Sequence, residues 1–273
     1  MLSVDFHTHS LASGHALNSI EELLRHADRL GMQGIAVTDH GPGTDNAILL
    51  KNSENFSQVW QNRIVGTDIH YFNVLISRYQ APSDIQVRLF KGIECNIYGQ
   101  GTPVIDLPPT LIDKFDLVIA SLHPLPYIFD LKDKVQVTER LLEAMEEPLD
   151  IIGHPFQKAF DLDMALIVQT AAEKNVVLEL NDDSIRQQKT EVRSMQQMLQ
   201  LAKKHDCRIS LSSDTHAANE LGSDETTSKL LAEARFPREL IVNDSIEAAV
   251  RFVEERKRIR AQMKAKIAKN NAS

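Results

Sequence analysis

The stretch DFHTHS, residues 5–10, places two histidines two positions apart at the end of the first short apolar run. Alternate side chains on a β-strand point to the same face, so a strand here aims Asp5, His7 and His9 in one direction. Two imidazoles that converge on one point are typical of a metal site, and a carboxylate behind them is its usual support. The alternative is a polar strand end with two solvated histidines, and the rest of the chain has to decide.

Six further short runs rich in β-branched residues follow, and helical stretches separate most of them. The runs that we predict as strands are residues 4–7, 34–39, 88–94, 116–122, 150–153, 175–180 and 208–213. Their nearly continuous apolar character is typical of parallel strands that are buried on both faces. A capping box that begins at Ser19 predicts the start of the first helix. Strands that alternate with helices in this way predict an α/β protein, either a barrel or a doubly wound sheet.

Nearly every predicted strand ends in a residue that could bind a metal ion. These residues are His7, His9, Asp39, His40, Glu94, His123, His154, Asn181, Asp214 and His216. In a parallel α/β barrel the active site lies at the carboxyl ends of the strands, so we expect the side chains to meet there. A capping or hydrogen-bonded residue would explain any one of them, but not six strands together. His15 is ambiguous on spacing alone, whereas His26, His70 and His205 are expected on the surface.

The ordered motifs DFHTHSLASGHA, TDHG, GIE, SLHP, GHP and SDTH resemble those of the PHP family (polymerase and histidinol phosphatase), and most closely its small stand-alone phosphatases. The resemblance runs from residue 4 to about residue 245 and implies a distorted (β/α)7 barrel with three divalent metal ions. It implies that His7, His9, Glu94 and Asp214 hold one ion, that His15, His40 and His216 hold a second, and that Glu94, His123 and His154 hold the third. Glu94 would then bridge two ions. Zn²⁺ suits these ligands best, and Mn²⁺ or Fe²⁺ are alternatives.

The resemblance implies a metal-dependent phosphoesterase, most directly a phosphomonoesterase that acts on a small phosphorylated substrate. Such a site uses a metal-activated hydroxide, so it needs no side-chain nucleophile. Glu94 and Asp39 are the expected catalytic carboxylates, and Asp39 would orient a ligand imidazole, relay a proton or simply cap a turn. Lys158, Arg186 and Lys189 follow the fifth and sixth strands and are candidates for gripping the phosphate, although loop charges of this kind are more often solvated.

Three other functions stay open. An amidohydrolase-type barrel also begins with H-x-H and hydrolyses C–N bonds, but it has no use for His15, His40 and Glu94 as ligands. A PHP nuclease that acts on DNA ends is disfavoured by the net charge of −8, which argues against a surface that coats nucleic acid. A non-catalytic metal-binding module is disfavoured because the ligand set is complete.

Composition and hydropathy indicate how the chain is organised. Its 273 residues, 42% of them hydrophobic, suit a single barrel domain over residues 1–250. Residues 43–87 form an extended insertion that is a candidate lid, and residues 251–273 form a basic, helical tail that we expect to be solvated. No apolar run is long enough to span a bilayer, no signal peptide is evident, and two cysteines fit a reducing compartment. We therefore expect a cytoplasmic protein without membrane partners, and the sequence leaves its oligomeric state open.

Overall fold

The computed structural model describes residues 1–42, 67–101, 103–124, 129 and 131–270. Its strands are β1 (Val4–Thr8), β2 (Gly34–Val37), β3 (Arg88–Asn96), β4 (Leu117–Ser121), β5 (Ile151–Gly153), β6 (Val177–Asn181) and β7 (Ile209–Ser212). All neighbouring pairs are parallel, and the strands follow one another around the sheet in chain order. Each predicted strand is present, with ends within two residues of those predicted. Because these strands are buried on both faces, their sequences are apolar runs, and such runs could be recognised in the sequence.

Hydrogen bonds from the backbone and from one side chain help to close the sheet where β1 meets β7. The amide of His9 donates to the carbonyl of Thr215 at 2.9 Å. Farther along the same seam, the side-chain amide of Asn243 donates to the carbonyls of Val4 and Leu211 at 3.0 and 2.7 Å. Asn243 thus supplies hydrogen-bond donors to one carbonyl group of each strand. Direct pairing of the two strands would otherwise supply these donors. The result is a nearly closed barrel of seven parallel strands, which confirms the predicted α/β barrel architecture.

Helices surround the barrel. The described chain contains α1 (Ile20–Arg29), α2 (Ile69–Ser77), α3 (Lys134–Ala144), α4 (Met164–Lys174), α5 (Asp182–Arg186), α6 (Val192–Lys204), α7 (Glu225–Ala234) and α8 (Ile246–Asn270). The predicted capping box starts α1, because Ser19 and Glu22 each bond the other's backbone amide through their side chains. Leu23 and Leu24 of this helix are fully buried in the apolar layer between helices and strands. Within the described ranges, none of these helices combines the length and the apolar character needed to cross a bilayer.

The inside of the barrel is filled by a second apolar cluster, which α8 extends. Inward side chains of the strands, such as Phe6 and Phe90, form one cluster with Phe252 and Val253 of α8. The rings of Phe6 and Phe90 meet edge to face, with their centroids 5.7 Å apart. Since this interior is packed with side chains, it leaves only the barrel's ends for a site.

Two arginines of the basic tail are buried where it lies in α8. Arg256 and Arg260 are only 3% and 0% exposed. Both guanidinium groups bond to Asp150, the residue that precedes β5, and Arg260 also donates to the carbonyl of Ile112 at 3.0 Å. The expectation of a solvated charge run is therefore wrong for these two residues. A boundary between barrel and tail near residue 250 stays a prediction, since α8 begins at Ile246 and continues through it.

The predicted insertion at 43–87 is described only from residue 67 onward. Residues 43–66 lie outside the described residues, so the lid stays a prediction. The described part contributes α2, whose Phe72 and Leu75 are buried against the outer apolar layer. Tyr71, on the same helix, reaches the candidate site from outside the barrel.

Candidate metal centre

The carboxyl ends of the strands bring together all nine residues that the resemblance implies as metal ligands. The donor atoms form three groups, and the atoms inside each group lie within 4.8 Å of one another. The groups are His7, His9 and Asp214; His9, His40 and His216; and His40, Glu94 and His123. The remaining two candidates adjoin these groups. Nε2 of His15 lies 3.4 Å from Nε2 of His40, and Nε2 of His154 lies 3.1 Å from Oε1 of Glu94. His9 and His40 each take part in two groups, so the allocation of ligands to individual ions stays a prediction.

Glu94 lies at the centre of this cluster and is 1% exposed. Five imidazoles approach its carboxylate within 4 Å, namely those of His7, His9, His40, His123 and His154. The closest approach is 2.7 Å, between Oε2 of Glu94 and Nδ1 of His40. These two atoms are nevertheless not aligned as donor and acceptor, and both are buried without a hydrogen-bond partner in the described structure. Buried polar atoms that point at a shared space, instead of at each other, fit the ligand sphere of a metal ion.

The end of β1 provides the most compact group of donors. Nε2 of His7 and Nε2 of His9 lie 3.1 Å apart, and Oδ1 of Asp214 lies 3.6 and 3.2 Å from them. Two imidazole nitrogens and one carboxylate oxygen are ligands that Zn²⁺, Mn²⁺ and Fe²⁺ accept. The donor set therefore fits a divalent transition-metal ion.

Two of the candidate ligands have a left-handed backbone, which is uncommon outside glycine. His154 has φ 27° and Asp214 has φ 52°. His154 follows Gly153, where a Cβ atom would lie 2.2 Å from Oγ of Ser121 and 3.0 Å from Cγ2 of Ile119, so these side chains would have to move to admit it. Backbone strain of this kind is often found at functional sites, where it directs side chains that the strand alone would not place.

The carboxylates of the cluster are held in the ionised form that binds metals. Burial opposes the charge of Glu94, but the imidazoles of His7 and His123 hold the pKa of its carboxyl well below the usual value. Burial likewise opposes the charge of Asp214, and His7 and His9 hold the pKa of that carboxyl well below its usual value. Both groups are therefore anions at neutral pH.

The imidazoles divide into two classes of basicity. Burial and the neighbouring His40 hold the pKa of His9 well below its usual value, and the same two causes, with His216, lower the pKa of His15 to about 4. Burial alone would also lower the pKa of His7, but the nearby carboxylates, with Glu179 foremost, raise it well above the usual value. His9 and His15 are therefore neutral and ready to bind a metal, whereas His7 must first release a proton.

Glu179, in the middle of β6, orients His7. Nδ1 of His7 lies 2.7 Å from Oε1 of Glu179, so it donates its proton there and leaves Nε2 for a metal. The other oxygen of Glu179 accepts the backbone amide of His154 at 2.6 Å. Sequence reasoning missed this residue, although a glutamate within the apolar run VLEL was a usable signal.

Asp5 supports the end of β1 through the backbone, because its carboxylate accepts the amide of His7 at 3.2 Å. Its carboxylate accepts hydrogen bonds from the amides of Ser213 and Gly222 at 3.1 and 3.2 Å and from the hydroxyl of Ser213 at 2.5 Å. It thus joins β1 to the segment after β7. Alternation along the strand predicted which face Asp5 occupies, but not which partners it meets there.

Asp39 lies behind the cluster and acts on it through Ser13. Its carboxylate accepts hydrogen bonds from the amide of Ser10 at 2.7 Å, from the hydroxyl of Ser13 at 2.6 Å and from the hydroxyl of Tyr71 at 2.5 Å. Because Ser13 donates its only hydroxyl proton to Asp39, its oxygen accepts from Nδ1 of His9, which lies 3.0 Å away. This leaves Nε2 of His9 for a metal. Asp39 is therefore placed to position an imidazole, and not to meet a substrate directly.

A similar relay, which starts from Asn96 at the end of β3, supports His123, which follows β4. Nδ1 of His123 lies 2.7 Å from Oδ1 of Asn96, and the side-chain amide of Asn96 donates to Asp106 at 2.8 Å. Gly41 packs against this carboxylate so closely that a Cβ atom would lie 2.5 Å from Asp106. His7, His9 and His123 thus each have a partner that fixes which nitrogen faces the centre of the cluster.

A cavity of about 600 Å³ opens over the cluster, and two of the three proposed phosphate-gripping residues line it. These are Lys158 and Lys189. Arg186 is placed elsewhere, because its guanidinium donates to Asp183 at 2.9 Å and to Glu220 at 3.0 Å, beside a second cavity. That Arg186 grips the phosphate stays a prediction.

Comparison with known proteins gives a consistent result. A family model described as "PHP domain" matches residues 5–199. A protein of Caldicellulosiruptor saccharolyticus named "Probable phosphatase" is 32% identical over 259 residues, which cover 92% of this chain and 96% of the relative. A protein of Caldanaerobacter subterraneus subsp. tengcongensis, also named as a probable phosphatase, is 33% identical and covers 94% of both chains. The histidinol phosphate phosphatase of Lactococcus lactis, solved with zinc, L-histidinol and phosphate, has a TM-score of 0.55 at 19% identity, over 86% of this chain and 94% of that one. That last likeness concerns the fold.

Proposed function

Since this chain belongs to the PHP domain family and is a metal-dependent phosphatase, we propose that it hydrolyses small phosphomonoesters at a centre of three divalent metal ions. The observation that carries this proposal is the convergence of nine donor residues, with Glu94 at their centre and with buried atoms that lack any other partner. Nine ligands are too many for one tetrahedral or octahedral ion. Zn²⁺ is the metal that we propose, with Mn²⁺ and Fe²⁺ as alternatives, because the ligands are imidazoles and carboxylates.

The allocation that we propose follows the family pattern. One ion would be held by His7, His9, Glu94 and Asp214, a second by His15, His40 and His216, and a third by Glu94, His123 and His154. Bound divalent ions polarise phosphate oxygens and lower the pKa of nearby water to near neutrality. Glu94 would offset the repulsion between the two ions that it bridges, since its buried carboxylate is fully ionised.

The residues of this chain leave the attack on phosphorus to water. In the described part of the cavity wall there is no hydroxyl or thiol group that could serve as a nucleophile. Cys95 and Cys207 are buried in the outer apolar layer, and burial raises the pKa of the Cys207 thiol to about 12. Neither cysteine is available as a thiolate at neutral pH.

The experiment that tests this function compares ester and amide hydrolysis by the purified, metal-loaded chain. We expect turnover of p-nitrophenyl phosphate that a chelator abolishes and that Zn²⁺, Mn²⁺ or Fe²⁺ restores. A panel of amides serves as the comparison, because the amidohydrolase alternative predicts the opposite preference. Amide turnover without phosphate release, or phosphate release that persists in the demetallated chain, would overturn the proposal.

A further inference from the structure

Two loops supply the part of the cavity wall that does not consist of candidate metal ligands. In the ranges that the structure describes, this wall is formed by Pro124, Gln157, Lys158, Ala159, Gln188 and Lys189. The amide of Lys158 donates to the carbonyl of Lys189 at 2.8 Å, so the loop after β5 and the loop after α5 are joined between the two lysines. The first loop is further held by the buried side chain of Gln157, which donates to Oγ of Ser184 at 3.2 Å. The wall is therefore a built surface, and not two unrelated mobile side chains.

This wall is positively charged. Lys158 is exposed and has no ion-pair partner among the described residues, and the ammonium of Lys189 lies 3.0 Å from Asp183 with 49% of its side chain still exposed. The carboxylates that line the cavity, Glu94 and Asp214, both belong to the metal cluster. Lys189 shares the carboxylate of Asp183 with Arg186, so the wall keeps an excess of positive charge in a chain whose net charge is −8.

The described part of the wall offers little aromatic surface. Apart from the histidines of the metal cluster, the described lining contains no aromatic ring. The described lining therefore offers a leaving group no aromatic side chain other than the imidazoles to stack on, but it offers hydrogen bonds from two ammonium groups and from the side-chain amides of Gln157 and Gln188. A cationic leaving group would face repulsion from the two lysines.

We propose that this wall selects phosphomonoesters whose leaving group carries a second anionic group on a short aliphatic skeleton. The inference rests on the proposed function, because the metal centre has to hold the phosphate that is hydrolysed. With that phosphate over the ligand cluster, the leaving group extends toward Lys158 and Lys189, and its second anion meets their ammonium groups. An amine-bearing leaving group such as L-histidinol, which is bound in the Lactococcus lactis enzyme, would instead meet two positive charges.

Three substrates with one three-carbon skeleton test this selectivity. These are glycerol 3-phosphate as the reference, 3-phosphoglycerate, whose second anionic group is a carboxylate, and glycerol 1,3-bisphosphate, whose second anionic group is a phosphate. We expect kcat/KM for at least one doubly anionic substrate to exceed that of the reference about 10-fold, a factor that one charge-assisted contact in a partly exposed site provides. The two anionic arms distinguish a carboxylate from a phosphate as the group recognised. Phosphoethanolamine, with its amine, should fall below the reference.

The lysines are tested with the double variant Lys158→Gln/Lys189→Gln, measured at equal metal content. We expect the preference for the doubly anionic substrate to fall below about 3-fold, while the Arg/Arg double variant retains it because the charge is kept. Lys229→Gln, on exposed α7 and away from the cavity, is the matched control and should keep both the activity and the preference.

The possible outcomes distinguish a failure of this inference from a failure of the proposed function. Hydrolysis of glycerol 3-phosphate and p-nitrophenyl phosphate without any preference for a second anion would overturn the inference and leave the proposed function intact. Equal losses on all three substrates in the double variant would also overturn it, since the lysines would then bind the phosphate that reacts. Failure of the metal-loaded chain to hydrolyse any phosphate ester would overturn both.

Discussion

Replacement of Glu94 by glutamine removes one negative charge from the centre of the ligand cluster and keeps the shape of the side chain. The carboxylate is 1% exposed and lies between five imidazoles, the nearest at 2.7 Å. Glutamine can still accept a hydrogen bond through one oxygen, but its amide nitrogen cannot bind a metal ion. We therefore expect Glu94→Gln to affect two of the three proposed ions together.

The size of the effect follows from the two interactions, one with each bridged ion, that the substitution weakens. A buried interaction with a charged group contributes about 1.5–3 kcal/mol, so two of them at the lower value contribute roughly 3 kcal/mol. At about 1.4 kcal/mol per tenfold change, this predicts a loss in kcat/KM of at least ~10²-fold. Metal content should fall in the same variant, because the ions that share Glu94 then repel each other without compensation.

The assay combines elemental analysis of the purified variant with p-nitrophenyl phosphate turnover, and circular dichroism establishes that the protein is folded. His26→Ala, in α1 and away from the cluster, is the control and should change neither quantity. A folded Glu94→Gln protein with full metal occupancy and near-normal turnover would refute the bridging role of Glu94. The site would then have to be rebuilt around the ligands from β1 and β7.

Three further predictions concern the residues that support the site. Ser13→Ala should weaken metal binding about 10–100-fold without unfolding the chain, because Nδ1 of His9 loses the acceptor that fixes its tautomer. Calorimetric titration with the metal measures this affinity, and an unchanged affinity would contradict the relay from Asp39. Metal binding should release protons at pH 7, because the raised pKa of His7 leaves that imidazole protonated in the metal-free protein. Affinity should therefore rise with pH, and pH-independent affinity between pH 6 and 8 would contradict the assignment. Arg260→Ala should destabilise the fold by about 3–5 kcal/mol, because it leaves Asp150 short of one buried partner; a denaturation midpoint like that of the native chain would show that α8 does not anchor the barrel.

The strands and the ends of the strands could be predicted from sequence for a physical reason. Parallel strands buried on both faces must be apolar throughout, so each leaves a local signal. A polar residue directly after such a strand emerges at one end of the barrel, and this is why the sequence alone predicts His123 and His154 at the site. Short, local sequence patterns therefore indicate which residues lie at the candidate site.

Interactions between distant segments left no comparable signal. Two of the partners of Asp5, Ser213 and Gly222, lie more than two hundred residues away in the chain, and nothing near Asp5 predicts them. The burial of Arg260 was missed because a run of charges is ordinarily solvated, and only the fold brings Asp150 beneath it. The acidic partners of Arg186 were not indicated either, because sequence shows the loop on which a side chain lies but not the direction in which it points.

The number of metal ions needed for activity tests the central claim most directly. The chelator-treated chain is titrated with Zn²⁺, and bound metal and p-nitrophenyl phosphate turnover are measured at each step. A trinuclear centre predicts that turnover rises until about three ions are bound per chain, since the nine donors exceed what one ion can accept. Full turnover with a single bound ion, and no further uptake, would contradict it.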